Sequence, residues 1–130
     1  MTQLPALVTL LAVLLMFGTA FVVGRARSRH GIKAPATSGH PAFERAWRVQ
    51  MNTLEAAMLF LPTLWLAAQY GFSGWAGIAG LFWLAGRLWY AVSYLRDAAK
   101  RGPGFLLGMA SWAATLVMAT IGVIRAMLAS

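Results

Sequence analysis

Phe43–Glu55 reads FERAWRVQMNTLE, and the apolar run Ala56–Tyr70, AAMLFLPTLWLAAQY, follows it without a break. The first stretch sits at the mouth of a hydrophobic segment yet carries Glu44, Arg45, Arg48, Gln50, Asn52 and Glu55. On a helix successive residues turn by about 100°, so Arg48, Asn52 and Glu55 fall within roughly 60° of one another. That face holds a cation at the membrane surface, an amide one turn in, and a carboxylate nearly one turn deeper. Polar groups facing lipid are costly and turn inward to a partner or a ligand. The expected occupant is a small zwitterionic molecule held at the membrane edge.

Composition sets the class around this stretch. The chain has 130 residues, 60% hydrophobic and only 11% charged, where a soluble domain carries about 25% charged residues. Its apolar runs are long enough to span a bilayer, which predicts an integral membrane protein. The net charge of +8 would suggest nucleic acid in a soluble protein. Here the cations bunch beside apolar spans, as the positive-inside rule requires, and no basic-aromatic soluble module accompanies them. With no cysteine in the chain, disulfides, thiolate metal sites and a protein thiol nucleophile are excluded. Any thiol must come with the substrate.

Four transmembrane helices are predicted in a single domain over residues 1–130, with spans at about 4–24, 42–70, 75–100 and 104–124. The first reads as a retained helix that continues through Arg25, Arg27 and Arg29 to about Gly31. A turn-rich loop, Ile32–Pro41, follows. Proline at position 41 suits a first helical turn, and Pro62 should kink the second span, which neighbouring helices tolerate. The short connection Gly71–Gly74 makes spans two and three antiparallel neighbours. Gly77 and Gly80 allow close helix approach in lipid. Arg87, Tyr90, Tyr94 and Arg101 fall within about 60° on span three and its extension. Arg101–Gly102–Pro103–Gly104 ends one helix and starts the next. The fold class is an all-α, four-helix antiparallel membrane bundle.

Cations surround the first loop (Arg25, Arg27, Arg29, Lys33, Arg45, Arg48) and the third (Arg96, Lys100, Arg101), while the opposite side has little beyond Arg125. Loops one and three are therefore expected in the cytoplasm. Both polar stripes point to that end and can meet there. Arginines bind carboxylates bidentately, Glu55 suits an ammonium, and tyrosines and amides complete the bonding. A peptide-sized ligand with two carboxylates and one ammonium fits this set. An arginine beside a ligand thiol lowers its pKa from about 8.5 towards neutrality. The lipid supplies an apolar electrophile.

Plainer readings stand beside these. Arg48 and Glu55 suit ion pairs between helices, Arg101 a positive-inside anchor, and Tyr90 and Tyr94 an interfacial aromatic belt. Arg87, deep in span three, reads as structural, paired with Glu55 or a carbonyl. Asp97 reads as a local partner of Arg101 or Lys100. Arg25, Arg29, Lys33 and Arg96 read as solvated headgroup contacts. His30 and His40 lack the further ligands that a metal site needs.

The motifs FERAWRVQMNTLE, RLWYAVSY and KRGPG together resemble the MAPEG family, the membrane-associated proteins of eicosanoid and glutathione metabolism, which includes microsomal glutathione transferases. The resemblance covers nearly the whole chain and implies a homotrimer with glutathione bound between neighbouring subunits near the cytoplasmic surface. It places Arg48, Gln50, Asn52 and Glu55 at glutathione-contacting positions of helix two, and Tyr90 and Tyr94 at those of helix three. Arg101 falls at the thiolate-activating arginine and Arg27 at a contact from the end of helix one. Two departures bear on affinity: Ala56 replaces a contacting tyrosine of some members, and Pro62 lies one turn deeper than the family proline.

The implied activity is a membrane-bound glutathione transferase that conjugates glutathione to lipophilic electrophiles and has a side activity reducing lipid hydroperoxides. Glutathione is its co-substrate, no metal or nucleic acid takes part, and the bacterial inner membrane is its expected location. A second reading is a non-enzymatic scaffold of the same family binding lipid or glutathione. Retention of Glu55 and Arg101 favours the enzyme. A third, a small four-span multidrug exporter, needs an embedded glutamate in its first span, and span one here has no acid.

Overall fold

The computed structural model describes residues 3–130; the first two residues of the expected domain lie outside them. It is helical: α1 Leu4–His30, α2 Pro41–Ala67, α3 Ser73–Arg96 and α4 Gly102–Ala129, with a π-type turn at Ala68–Phe72 and a 3₁₀ turn at Ala98–Lys100. No strand occurs among the described residues. Three helical stretches are long and apolar enough to cross a membrane: Leu4–His30, Pro41–Arg96 and Ala98–Ala129.

The middle stretch is 56 residues long because the connection expected at residues 71–74 is not a loop. α2 runs into the π-type turn, and only Tyr70 (φ −106°, ψ 34°) and Gly71 (φ 103°) leave helical torsions. A positive φ is readily adopted only without a Cβ, which accounts for glycine at position 71. Beyond this break the chain folds back. Phe60 stacks on Trp83, with centroids 4.2 Å apart, Asn52 meets Arg87, and Arg45 meets Leu95. The partners move in opposite directions along the two helices.

Local chemistry sets the other ends. Gly31 (φ 65°) terminates α1 in the left-handed region, and the Ile32 N–H returns to the Arg27 carbonyl at 3.0 Å, a glycine C-terminal cap. At the start of α2, His40 Nδ1 accepts from the Ala42 N–H at 3.1 Å, and the Glu44 carboxylate accepts from the Gly39 N–H at 3.1 Å. Acid in a first turn also opposes the helix dipole favourably. α3 stops at Arg96, four residues short of the expected Lys100. Asp97 turns extended (φ −159°, ψ 114°) and its carboxylate accepts from the Ala99 N–H at 3.0 Å. A short acidic side chain that can bond the backbone locally competes with continuation of the helix.

Packing depends on missing side chains. A Cβ on Gly77 would lie 2.6 Å from Leu4, and one on Gly80 would lie 2.7 Å from Val8, so α1 sits against α3 at that end. A Cβ on Gly86 would lie 2.6 Å from the Gly108 nitrogen, and one on Gly104 would collide with the Tyr90 backbone. α3 and α4 therefore touch almost backbone to backbone, as small residues permit in lipid. Pro62 withholds an N–H from its own helix. Nearby, the Leu59 carbonyl accepts from Trp112 Nε1 at 3.1 Å and from the Thr63 hydroxyl at 3.3 Å. Side-chain donors thus reach the backbone beside the proline, where the lipid offers none.

Candidate functional site

The N-terminal half of α2 and the C-terminal half of α3 enclose a polar crevice of about 800 Å³. α2 gives it Arg45, Arg48, Asn52 and Glu55; α3 gives Tyr90, Tyr94 and Arg96; Asp97 and Arg101, which flank the 3₁₀ turn, complete it. The chain's only acids are Glu44, Glu55 and Asp97, and all three line it.

The inner end is held tightly. Arg87 is only 2% exposed. Its Nη2 donates to Asn52 Oδ1 at 2.8 Å and to Thr53 Oγ1 at 3.1 Å, while its guanidinium lies 4.3 Å from the Tyr90 ring centre. Of the two partners expected for Arg87, Glu55 or a carbonyl, Glu55 is corrected: it is exposed on the crevice wall, and the Asn52 amide oxygen and the Thr53 hydroxyl take the arginine. Arginine has only donors, so Asn52 must turn its oxygen to Arg87. Its NH2 group is left as the donor for anything else. Arg87 Nε is buried with no hydrogen-bond partner among the described residues.

From there aromatic and cationic groups alternate outward. Tyr90 and Tyr94 have centroids 5.5 Å apart, Tyr90 also leans on Phe105 at 6.2 Å, and the Arg101 guanidinium lies 5.8 Å from the Tyr94 ring centre. Cations within about 6 Å of an aromatic face are attracted to its quadrupole. At the mouth, Arg101 Nη1 donates to the Ala98 carbonyl at 2.6 Å. Asp97 caps Ala99 instead of meeting Arg101 or Lys100 as expected. Arg45 Nε donates to the Leu95 carbonyl at 3.1 Å, fixing the start of α2 to the end of α3 and holding the crevice at a set width.

Six of the eight residues singled out from the sequence line this one crevice: Arg48, Asn52, Glu55, Tyr90, Tyr94 and Arg101. Arg27 and Gln50 do not. Arg27 donates to the Ala36 carbonyl at 2.8 Å and covers the rings of Phe43 and Trp47 at 4.8 and 5.7 Å, on the other side of α2. Arg87 is structural, as expected, but its partner Asn52 is not the one the sequence suggests. A lone arginine in an apolar helix was the available signal, but the asparagine opposite it depends on interhelical register. His30 and His40 stack with centroids 3.7 Å apart and close the first loop. Among the described residues no group of three or more His, Cys, Asp or Glu comes together to hold a metal.

Several known proteins are similar in sequence over most of this chain. The chain is 46% identical over 120 residues to an uncharacterized protein of Synechocystis, covering 92% of this chain and 88% of that one. It is 43% identical over 122 residues to leukotriene C4 synthase of Cavia porcellus, covering 93% and 81%. Against microsomal glutathione S-transferase 2 of Bos taurus it is 36% identical over 109 residues, covering 84% and 75%. The MAPEG family profile matches residues 5–121, nearly the whole of the four-helix region, and on that match the chain belongs to the MAPEG family.

Proposed function

We propose that this protein is a membrane-bound glutathione transferase, joining the thiolate of glutathione to lipophilic electrophiles that arrive through the bilayer. The observation that carries this reading is a single crevice holding Arg48, Asn52, Glu55, Tyr90, Tyr94 and Arg101. Relatives named for glutathione transfer and leukotriene synthesis support it. Arg48 takes a carboxylate, the Asn52 NH2 donates to a ligand oxygen, and Glu55 takes the ammonium. Arg101 keeps the sulfur ionised through its positive charge. The sulfur lone pair then forms the bond to carbon, and the leaving group departs with its electron pair. Reduction of lipid hydroperoxides is a side activity, in which two glutathiones become one disulfide as the peroxide becomes alcohol and water.

The chain is read as a single domain over residues 1–130 with four membrane crossings in an antiparallel bundle. A straight 56-residue helix would extend about 84 Å at 1.5 Å per residue, against a hydrocarbon layer of about 30 Å. The reversal at Tyr70–Gly71 supports two crossings from that stretch. Arg27 and Gln50 lie away from their own chain's crevice, so they reach a bound tripeptide only across a subunit boundary. This supports a homotrimer with shared sites. The basic loops supply the cytoplasmic side of a bacterial inner membrane.

The test is turnover of a chlorodinitrobenzene-type acceptor by the purified protein. Arg101→Ala should lower kcat about a hundredfold, raise the apparent pKa of the bound thiol, and change glutathione affinity little. A parent-like variant removes Arg101 from the role. Glutathione binding without turnover across a broad electrophile panel points to a scaffold instead.

A further inference from the structure

α1 and α3 touch at one end and part at the other. Leu4 and Val8 lie on Gly77 and Gly80, yet a Cβ on Gly18, farther along the same side of α1, would meet nothing within 4 Å. The wedge between the parted helices is an apolar groove of about 560 Å³, walled by Leu11, Leu14 and Val22 on α1 and by Leu84 and Leu88 on α3, and floored by Ala46. Its one polar group, Thr19, donates its hydroxyl to the Met16 carbonyl at 2.8 Å and asks nothing of an occupant.

At the loop end the groove runs into a second hollow, sharing Val22, Ala46 and Leu95 with it, whose rim carries Arg25 and Arg29. These arginines are four residues apart, on one helix face. No acid lines that rim. Nor can a second copy bring one easily, since the chain's only acids, Glu44, Glu55 and Asp97, all line the crevice. The crevice is elsewhere: Ala46 points about 160–180° away from Arg48 and Glu55 around α2.

From this geometry we infer that the α1–α3 groove, with the Arg25/Arg29 pair at its end, is a binding site for one phospholipid with a net anionic headgroup. Leu11 to Val22 spans about 16 Å along the helix, close to the ~15 Å depth of one leaflet's hydrocarbon. An acyl chain lying there places its phosphodiester level with the two guanidiniums, which can take its oxygens bidentately. Gly18 matters because it keeps the wall clear where the chain passes. The inference does not rest on the glutathione reading.

Native mass spectrometry of the full chain in detergent, titrated with phosphatidylglycerol and phosphatidylcholine of identical acyl chains, tests it. The parent should retain one phosphatidylglycerol at least tenfold more tightly than phosphatidylcholine. Removing both cations (Arg25→Ser with Arg29→Ser) should weaken phosphatidylglycerol binding by about five-fold per arginine and abolish the preference. Gly18→Leu, which has room for its side chain, should weaken both lipids alike, and Lys33→Ser should weaken neither. Equal binding of the two lipids by the parent overturns the site, as does a preference that survives loss of both arginines. Equally tight binding of the water-soluble deacylated headgroup assigns the cations to a free phosphate and overturns it. If Gly18→Leu alters oligomeric state but not lipid retention, a second copy covers the groove and the lipid is excluded.

Discussion

Arg87 and Arg101 carry the same charged group on one stripe, at opposite ends of the polar crevice, and their surroundings differ in kind. Arg87 is buried between Asn52, Thr53 and the Tyr90 ring. Arg101 is exposed, anchored to one backbone carbonyl and resting over Tyr94. The inner end is therefore a fixed frame in which Arg87 Nη2 already holds the Asn52 and Thr53 oxygens, and the mouth is a set of exposed charges. Depth separates the group that shapes the site from the group to which the proposed function gives the chemistry.

Substitutions at the two ends should separate accordingly. The largest effect is expected from Gly104→Val, which forces the Tyr90 backbone away from α4. Overpacking of this kind costs about 1–3 kcal/mol or more, read as a lowered midpoint of thermal unfolding in detergent with loss of turnover. Arg87→Met should follow, destabilising by about 2–3 kcal/mol because the half-buried Asn52 oxygen and the buried Thr53 hydroxyl lose a charged donor. Arg87→Lys should recover part of that loss. Asn52→Asp keeps an acceptor towards Arg87 but removes the outward NH2 donor. Thermal stability should stay near the parent's while KM for glutathione rises about tenfold, as expected for a lost hydrogen bond to a charged group. The smallest effect belongs to Arg96→Ser at the exposed mouth: stability within about 0.5 kcal/mol, and a modest rise in KM that fades with added salt. If Arg96→Ser proved as damaging as Arg87→Met, the contrast between frame and mouth would be lost.

Much of the site was legible because a helix has a fixed period. Arg48, Asn52 and Glu55 share a face by their spacing alone, as do Tyr90, Tyr94 and Arg101, and the cation clusters indicated which ends meet. The structural role of Arg87 was legible, its partner Asn52 was not. That partner depends on how far α2 and α3 slide past one another, a quantity settled by Phe60 on Trp83 and by the Arg45 bond to the Leu95 carbonyl. The end of α3 was misplaced for a local reason: Asp97 bonds forward to Ala99 and takes the chain out of the helix. The Gly71–Gly74 connection read as a loop because two glycines bracket it, but only Tyr70 and Gly71 leave helical torsions. The far side of α2 showed least, since nothing in one chain's periodicity distinguishes a surface facing lipid from one facing a sister subunit.

The Arg87–Asn52 bond has a bearing on biogenesis. An arginine at the centre of an isolated helix opposes partition into the bilayer by roughly 2.5–3.5 kcal/mol, and α3 carries one. α2 brings the oxygen that satisfies it, and the two helices are joined by a turn of five residues. On the four-crossing reading, the hairpin would leave the translocation machinery as one piece, each arm masking the other's polar load before either meets lipid alone.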